Sequence, residues 1–514
     1  MHEEGLARST RCSNSLVVCK LCSAFCSFAL LFACGSLSAV RKVSQDIHAQ
    51  DRDATTTKAT RLLSVSEGIS CDSIMLCLCS LLAAILLGAL VSVLYQSRFG
   101  EKSALYHAQT TFELVLLTEA ADSKGAVCLD GSPGGYYIRR PLADAANRSK
   151  FLIFHEGGGW CGSDTNCLDR SLTPLGSSVS YDPKISGDNI EAVALYAYLR
   201  DYTIIYAKYC DGTSWSGNVD DPIPVYNETS GRNETIFYRG RRLLDALLDD
   251  LLHNQGLVQA DTVVYGGCSA GSLTTYLHID YLRTKLSPTT KLAGLGDSMY
   301  ALPYKSYDGQ VNYLQNMYQW GYIAWNASTS INDRCREHYE RRKRPQDAFL
   351  CLYGSIVVNF VHTPTLVVNS KFDTWQQKSI MGFDREYCSP KVDTDGTVIP
   401  CGNDSPGAQA KGRYWKVYAS VMKRSVEEVL PIYHGAFLTN CPWHCLFGPG
   451  NWEDSAGPDK RLNEATAHWI DLLESGRISE NMTAPRWIAK EQDKCFGQKM
   501  GAPRANMLTP VRLL

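Results

Sequence analysis

Gly267-Cys268-Ser269-Ala270-Gly271 follows the apolar run DTVVYGG (261–267) and precedes the helical run SLTTYLHIDYL. Strand, tight turn and helix in that order lift a hydroxyl above a sheet edge, and the helix start offers free N–H groups and a positive dipole end to a developing oxyanion. Nucleophilic attack by Ser269 on a carbonyl is the chemistry that fits; a structural serine in a glycine-rich turn is the other reading of the same five residues. A serine hydroxyl needs a base, and on such an elbow a carboxylate and then a histidine follow the serine along the chain. The run TLVVNS (365–370) leads into KFDTWQ, which places Asp373 in a loop at a strand's C-terminal end. His434, His444 and His468 follow it. His468 falls within the helical run ATAHWIDLL and suits a surface or packing role. Spacing does not separate His434 from His444. His444, however, lies in NCPWHC, a loop stiffened by Pro442 and two flanking cysteines, and catalytic geometry tolerates errors of only about 0.5 Å.

A second set of oxyanion donors belongs in an early glycine loop. His155-Glu156-Gly157-Gly158-Gly159-Trp160-Cys161, at the end of FLIFHE, supplies one, because glycines let the main chain approach a tetrahedral centre closely. No HExxH, dinucleotide fingerprint or P-loop occurs, and Cys441 and Cys445 suit disulfides better than zinc in an oxidising lumen. The expectation is therefore catalysis with no metal and no cofactor.

The elements that must position these residues are legible as short buried-strand runs, FLIFHE, TIIYAKY (203–209), DTVVYGG, KLAGLGD (291–297) and TLVVNS, with helical runs between them. In RRLLDALLDDLLHNQG, Leu243, Leu244, Leu247, Leu248, Leu251 and Leu252 form an apolar stripe, Asp245, Asp249 and Asp250 are expected to face water, and Gly256 supplies a stop. RLNEATAHWIDLLESG ends in the same way at Gly476. Strands alternating with helices predict an α/β fold, a mainly parallel sheet covered on both faces, in one domain over residues 100–500 with loop insertions and a tail at 501–514.

The chain has 514 residues, with 51 Lys and Arg against 53 Asp and Glu, so it lacks the broad positive field that would indicate nucleic acid as a partner. Eight of its 20 cysteines precede residue 80 and twelve lie from Cys128 to Cys495. Residues 21–40 are uncharged, and 73–97 hold the apolar centre LLAAILLGALVSVL; at 1.5 Å per residue, roughly 20 residues cross a hydrocarbon core. The second segment is the stronger signal-anchor. The first, rich in Ser, Cys and Gly, reads as a membrane span, a signal-peptide-like segment or an apolar stretch that does not insert, within a cytosolic or membrane-associated region 1–72. The polar linker 41–72 carries Arg41, Lys42, Arg52, Lys58 and Arg61, so the positive-inside bias keeps the linker cytosolic and translocates the chain beyond residue 98, through a single signal-anchor or two spans with a lumenal N-terminus; a signal peptide cleaved near residue 40 is the topology that would reverse this. The expectation is a type II-like arrangement with the catalytic domain lumenal or extracellular. Cys19, Cys22 and Cys26 beside the first segment are read as small membrane-segment residues, with acylation sites as the alternative. Six Asn-x-Ser/Thr sequons, at Asn147, Asn227, Asn233, Asn326, Asn403 and Asn481, all fall beyond residue 100, with Asn403 weakened by Pro406. The later cysteines then read as mostly disulfides.

Together CLDGSPGGYYIRR (128–140), HEGGGWC (155–161), YCDGTSWSGN (209–218), GGCSAGS (266–272), KFDTWQ (371–376) and NCPWHC (440–445) resemble the pectin acetylesterase family. That family also contains the Notum-type carboxylesterases, which remove a fatty acyl group from a serine of Wnt proteins. The resemblance spans about residues 105–500. It implies an α/β-hydrolase fold without a metal, with Ser269 as nucleophile, Asp373 as carboxylate, His444 as base, and the amides of Gly158, Gly159 and Ala270 as oxyanion donors, so it separates His444 from His434. It also implies a Cys128–Cys210 disulfide; Cys161 and Cys167 are expected to form a local bridge, and Cys268 to stay free and buried. The glycine loop and GCSAG are similar to the plant acetylesterases, where the Notum type has a serine in place of Cys268, whereas Gly135-Tyr136-Tyr137 is closer to the Notum wording. The expected partner is an O-acetylated polysaccharide, or an acylated glycan or protein, with the membrane reached through the N-terminal helix. Two rivals are a lipid-type protein deacylase and a membrane-tethered binding protein on a dead hydrolase scaffold.

Overall fold

A computed structural model describes residues 111–141, 149–187, 193–383, 390–401, 405–448, 451–452 and 455–495. The two apolar N-terminal segments, the cysteines before residue 80, the linker between the segments, the C-terminal tail, Asn147 and Asn403 lie outside the described residues. Among the described residues no helix is long and apolar enough to cross a membrane.

Ten strands form one sheet: β1 (Thr111–Leu116), β2 (Gly135–Arg139), β3 (Lys150–His155), β4 (Lys184–Ser186), β5 (Thr203–Ala207), β8 (Thr262–Cys268), β9 (Lys291–Asp297), β10 (Thr365–Ser370), β13 (Gly435–Thr439) and β14 (Arg486–Ile488). Their order is β14-β13-β10-β9-β8-β3-β5-β2-β1-β4. Every pair from β14 to β5 is parallel, and β2, β1 and β4 continue the sheet antiparallel. Two hairpins lie outside it, β6 (Ile223–Asn227) with β7 (Arg232–Ile236) and β11 (Lys391–Val392) with β12 (Val398–Ile399).

The all-apolar runs form strands because both faces of the sheet are covered. Alternate residues enter opposite layers: Phe151 and Ile153 of β3 join one buried cluster, and Leu152 and Phe154 join the other. The first layer holds the leucine stripe of the helix Gly240–His253, whose six leucines are each at most 7 % exposed; such burial stabilises by about 1.5–3 kcal/mol per side chain. The second layer holds the helix Leu462–Glu474. The helical aspartates are only half-buried and are bonded: Asp250 accepts the Tyr136 hydroxyl and Asp245 the Tyr281 hydroxyl. Tyr136 and Tyr137 are themselves core residues of β2, so the Gly-Tyr-Tyr wording describes sheet packing.

Candidate active site

The seven parallel strands share one C-terminal edge, and the sequence-derived residues converge there. β8 runs buried to Cys268, Ser269 turns the chain with φ 56° and ψ −121°, and the helix Ala270–Lys285 begins at once. A left-handed, non-glycine backbone is strained and is held only by its surroundings. Part of that hold is the Ser269 N–H, which donates to the Asp297 carbonyl at 2.9 Å. Gly271 shows why the turn needs glycine: a Cβ there would stand 2.1 Å from the His155 carbonyl oxygen. The helix start is thereby packed against the end of β3, and its first N–H groups have no acceptor within the helix.

Asp373 follows β10 and caps the helix Thr374–Ser379, its Oδ1 accepting from the N–H of Trp375 (2.8 Å) and Gln376 (3.0 Å). The same buried carboxylate lies 2.8 and 3.0 Å from His444 Nδ1. A carboxylate oxygen accepts, so Nδ1 is the donor in this pair, which leaves Nε2 as the acceptor of the ring. His444 Nε2 is 2.9 Å from Ser269 Oγ. Trp375 stacks on the imidazole at 5.7 Å, fixing its plane.

The loop after β13 is held at both ends of NCPWHC. Cys441 is bonded to Cys495 and Cys445 to Cys268. Cys268, expected to be free, is therefore a half-cystine; its partner lies 177 residues away, beyond the reach of local pattern. Asp297 and Ser298, at the end of β9, had no role in the sequence reading. The Asp297 carboxylate accepts the Ser298 hydroxyl (2.7 Å) and the Phe447 N–H (3.0 Å), while Ser298 Oγ accepts the Cys445 N–H (2.9 Å). Burial raises the Asp297 carboxyl to about 6, against the lowering effect of these donors.

Gly158 and Gly159 have φ of 138° and 67°. A Cβ on Gly159 would meet nothing within 4 Å, so the main chain is open on that side. The loop is braced from beneath: Glu156 pairs with Lys208 and accepts the Tyr209 N–H, and Arg170 donates to the Gly158 carbonyl at 2.9 Å. Trp160 donates to Ser214 Oγ at 2.7 Å, and that hydroxyl donates to the Ala270 carbonyl, linking glycine loop to elbow. Disulfides Cys128–Cys210 and Cys161–Cys167 close the same region.

His434 lies at the other end of β13, fully buried, accepting the Thr365 N–H at 3.0 Å and bonded to the Val358 carbonyl at 3.1 Å; burial lowers its ring to about 4. His468 packs edge-on against Trp487. Asn233, Asn326 and Asn481 are exposed and Asn227 half-buried. Among the described residues no group of His, Cys, Asp and Glu is arranged to hold a metal.

The pectinacetylesterase family model matches residues 106–483. Pectin acetylesterase 7 of Arabidopsis thaliana is 28% identical over 362 residues, 68% of this chain and 86% of the relative. Palmitoleoyl-protein carboxylesterase NOTUM of Schmidtea mediterranea is 25% identical, over 71% of this chain and 64% of its own. The solved structure of the Wnt deacylase Notum from Drosophila aligns with a TM-score of 0.55 at 21% identity, covering 73% of this chain and 98% of that one, a likeness of fold. With a parallel sheet of this topology and a family match over most of its length, the chain belongs to the pectinacetylesterase family, as an ester hydrolase of the α/β type.

Proposed function

We propose that the chain is a serine carboxylesterase that removes O-acetyl groups from a polysaccharide. Ser269 Oγ attacks the acetyl carbonyl as His444 Nε2 takes its proton, and the amides of Gly158, Gly159 and Ala270 hold the oxyanion. The imidazolium, oriented and stabilised by Asp373, protonates the departing sugar hydroxyl; water then enters, His444 takes its proton, and acetate leaves Ser269.

What supports the short acyl group is the likeness to the acetylesterases: the chain covers 86% of Pectin acetylesterase 7 at 28% identity, against 64% of the Schmidtea mediterranea NOTUM at 25%. Aromatic rings border the triad, Trp160 packing edge-on against Tyr318 at 5.3 Å and Trp375 at 5.7 Å, with Trp375 stacked on His444. The disulfides support folding in an oxidising compartment. Tethering through residues 73–97, with the domain lumenal or extracellular and sugars on the exposed sequons, belongs to the same proposal and rests on the sequence.

Two measurements test it. Ser269→Ala should lower hydrolysis of a chromogenic acetyl ester by about 10⁴-fold or more, and unchanged turnover would sink the nucleophile and revive the binding-protein rival. Across a series of acyl lengths the rate should peak at acetate; a maximum at eight carbons or more would favour protein lipid-deacylation, the activity named in the Notum relatives.

A further inference from the structure

The Ser269–His444 hydrogen bond joins segments 175 residues apart, and a covalent bond runs beside it. Cys268 immediately precedes Ser269, Cys445 immediately follows His444, and the two are one cystine. Three non-glycine residues around this link have left-handed backbones: Ser269 (φ 56°), Ser298 (φ 63°) and Cys445 (φ 62°). Such conformations relax once their surroundings give way. Further ties between the elbow and the histidine loop are hydrogen bonds through Asp297 and Ser298, and these stretch by tenths of an ångström at little cost. The far end of the loop is fixed separately by Cys441–Cys495.

We propose that the Cys268–Cys445 cystine is a positioning element of the triad, setting the separation of Ser269 and His444 so that its loss lowers turnover more than substrate binding. The proposal rests on the serine-esterase reading above. The cystine is reachable, because Cys445 is only half-buried.

The test compares the Cys268→Ser, Cys445→Ser double variant with a Cys335→Ser, Cys351→Ser control, which removes a cystine that bonds neither the elbow nor the histidine loop. Turnover and labelling of Ser269 by a fluorophosphonate are measured for both. A displacement of about 1 Å at a catalytic group costs on the order of 100-fold, so the first variant should lose about 10- to 100-fold in kcat with KM within about twofold, and the control should keep its kcat. Should the first variant fail to fold, graded reduction of the folded wild type, with alkylation and mass spectrometry to report which cystine has opened, gives the same reading: lost activity should track opening of Cys268–Cys445. Wild-type kcat in the double variant, an equal loss in the control, or opening of the bond with full activity would overturn the positioning role alone. Failure of wild-type Ser269 to label would overturn the esterase reading and the positioning role with it.

Discussion

Asp297 ends β9 and Asp373 follows the neighbouring parallel strand β10, both buried, yet only Asp373 bonds the imidazole. Asp297 instead supports the loop that carries it, through the Phe447 N–H and the Ser298 hydroxyl. Its carboxyl is raised to about 6 by burial, so it takes up a proton as pH falls through that value. A raised folded-state value means that protonation favours the fold: this group's contribution to stability is full below its unfolded value and is lost as pH rises through about 6. Activity should move the opposite way, because a protonated Asp297 forfeits one acceptor and frees a loop donor. The rate should therefore fall as pH drops through about 6 and Asp297 takes up its proton. Asp297→Asn removes that titration and should make the acid limb shallower, with kcat at pH 7 down about tenfold, the scale of one lost charge-assisted hydrogen bond. A pH–rate profile of both proteins decides this, and an unchanged slope would remove Asp297 from the acid limb.

At the scale of elements, two glycines near Ser269 serve different needs. Gly271 sits where the helix Ala270–Lys285 meets the end of β3, with the His155 carbonyl in the space of a Cβ. Gly271→Ala should push helix from strand, with a stability loss of about 1–3 kcal/mol from overpacking and a large loss of turnover. Gly159 has open space but φ 67°, so Gly159→Ala should cost about 1–2 kcal/mol in backbone strain and leave its N–H in place, with turnover within a few-fold. Thermal unfolding and kcat, read together, separate the two. The same scale explains what the sequence disclosed. Runs such as TIIYAKY and TLVVNS were legible because strands buried on both faces are apolar throughout. β1, β2 and β4 were not, since their pairing is antiparallel at one side of the sheet and β4 is only three residues long. β13, GAFLT, was missed as well, and that omission left His434 and His444 inseparable by spacing. The strand runs between them: His434 precedes it at the N-terminal edge, whereas His444 follows it at the C-terminal edge, where Ser269 and Asp373 lie and where ligand sites form in such sheets. The Cys268 partner was hidden for a related reason, because only the assembled sheet brings residue 445 beside residue 268.

Across the whole molecule, disulfides of large span tie segments that the sheet also brings together. Cys128–Cys210 closes 82 residues and Cys268–Cys445 closes 177, the latter enclosing β9, β10 and the Asp373 loop. In the chain-entropy description each restricts the unfolded chain by about 4–5 kcal/mol, against a total stability of about 5–15 kcal/mol for a domain. The buried two-layer core would remain after reduction, so the sheet should persist at low temperature while the margin shrinks. Full reduction of the domain should therefore lower the unfolding midpoint by about 10 °C or more, and the same chain made in a reducing cytosol should accumulate little active protein. Calorimetry with and without reductant checks the first expectation, with the opened cystines mapped by alkylation. A midpoint that moves by less than about 3 °C with both long-span cystines open would mean that the sheet and its two cores alone supply the stability of the fold.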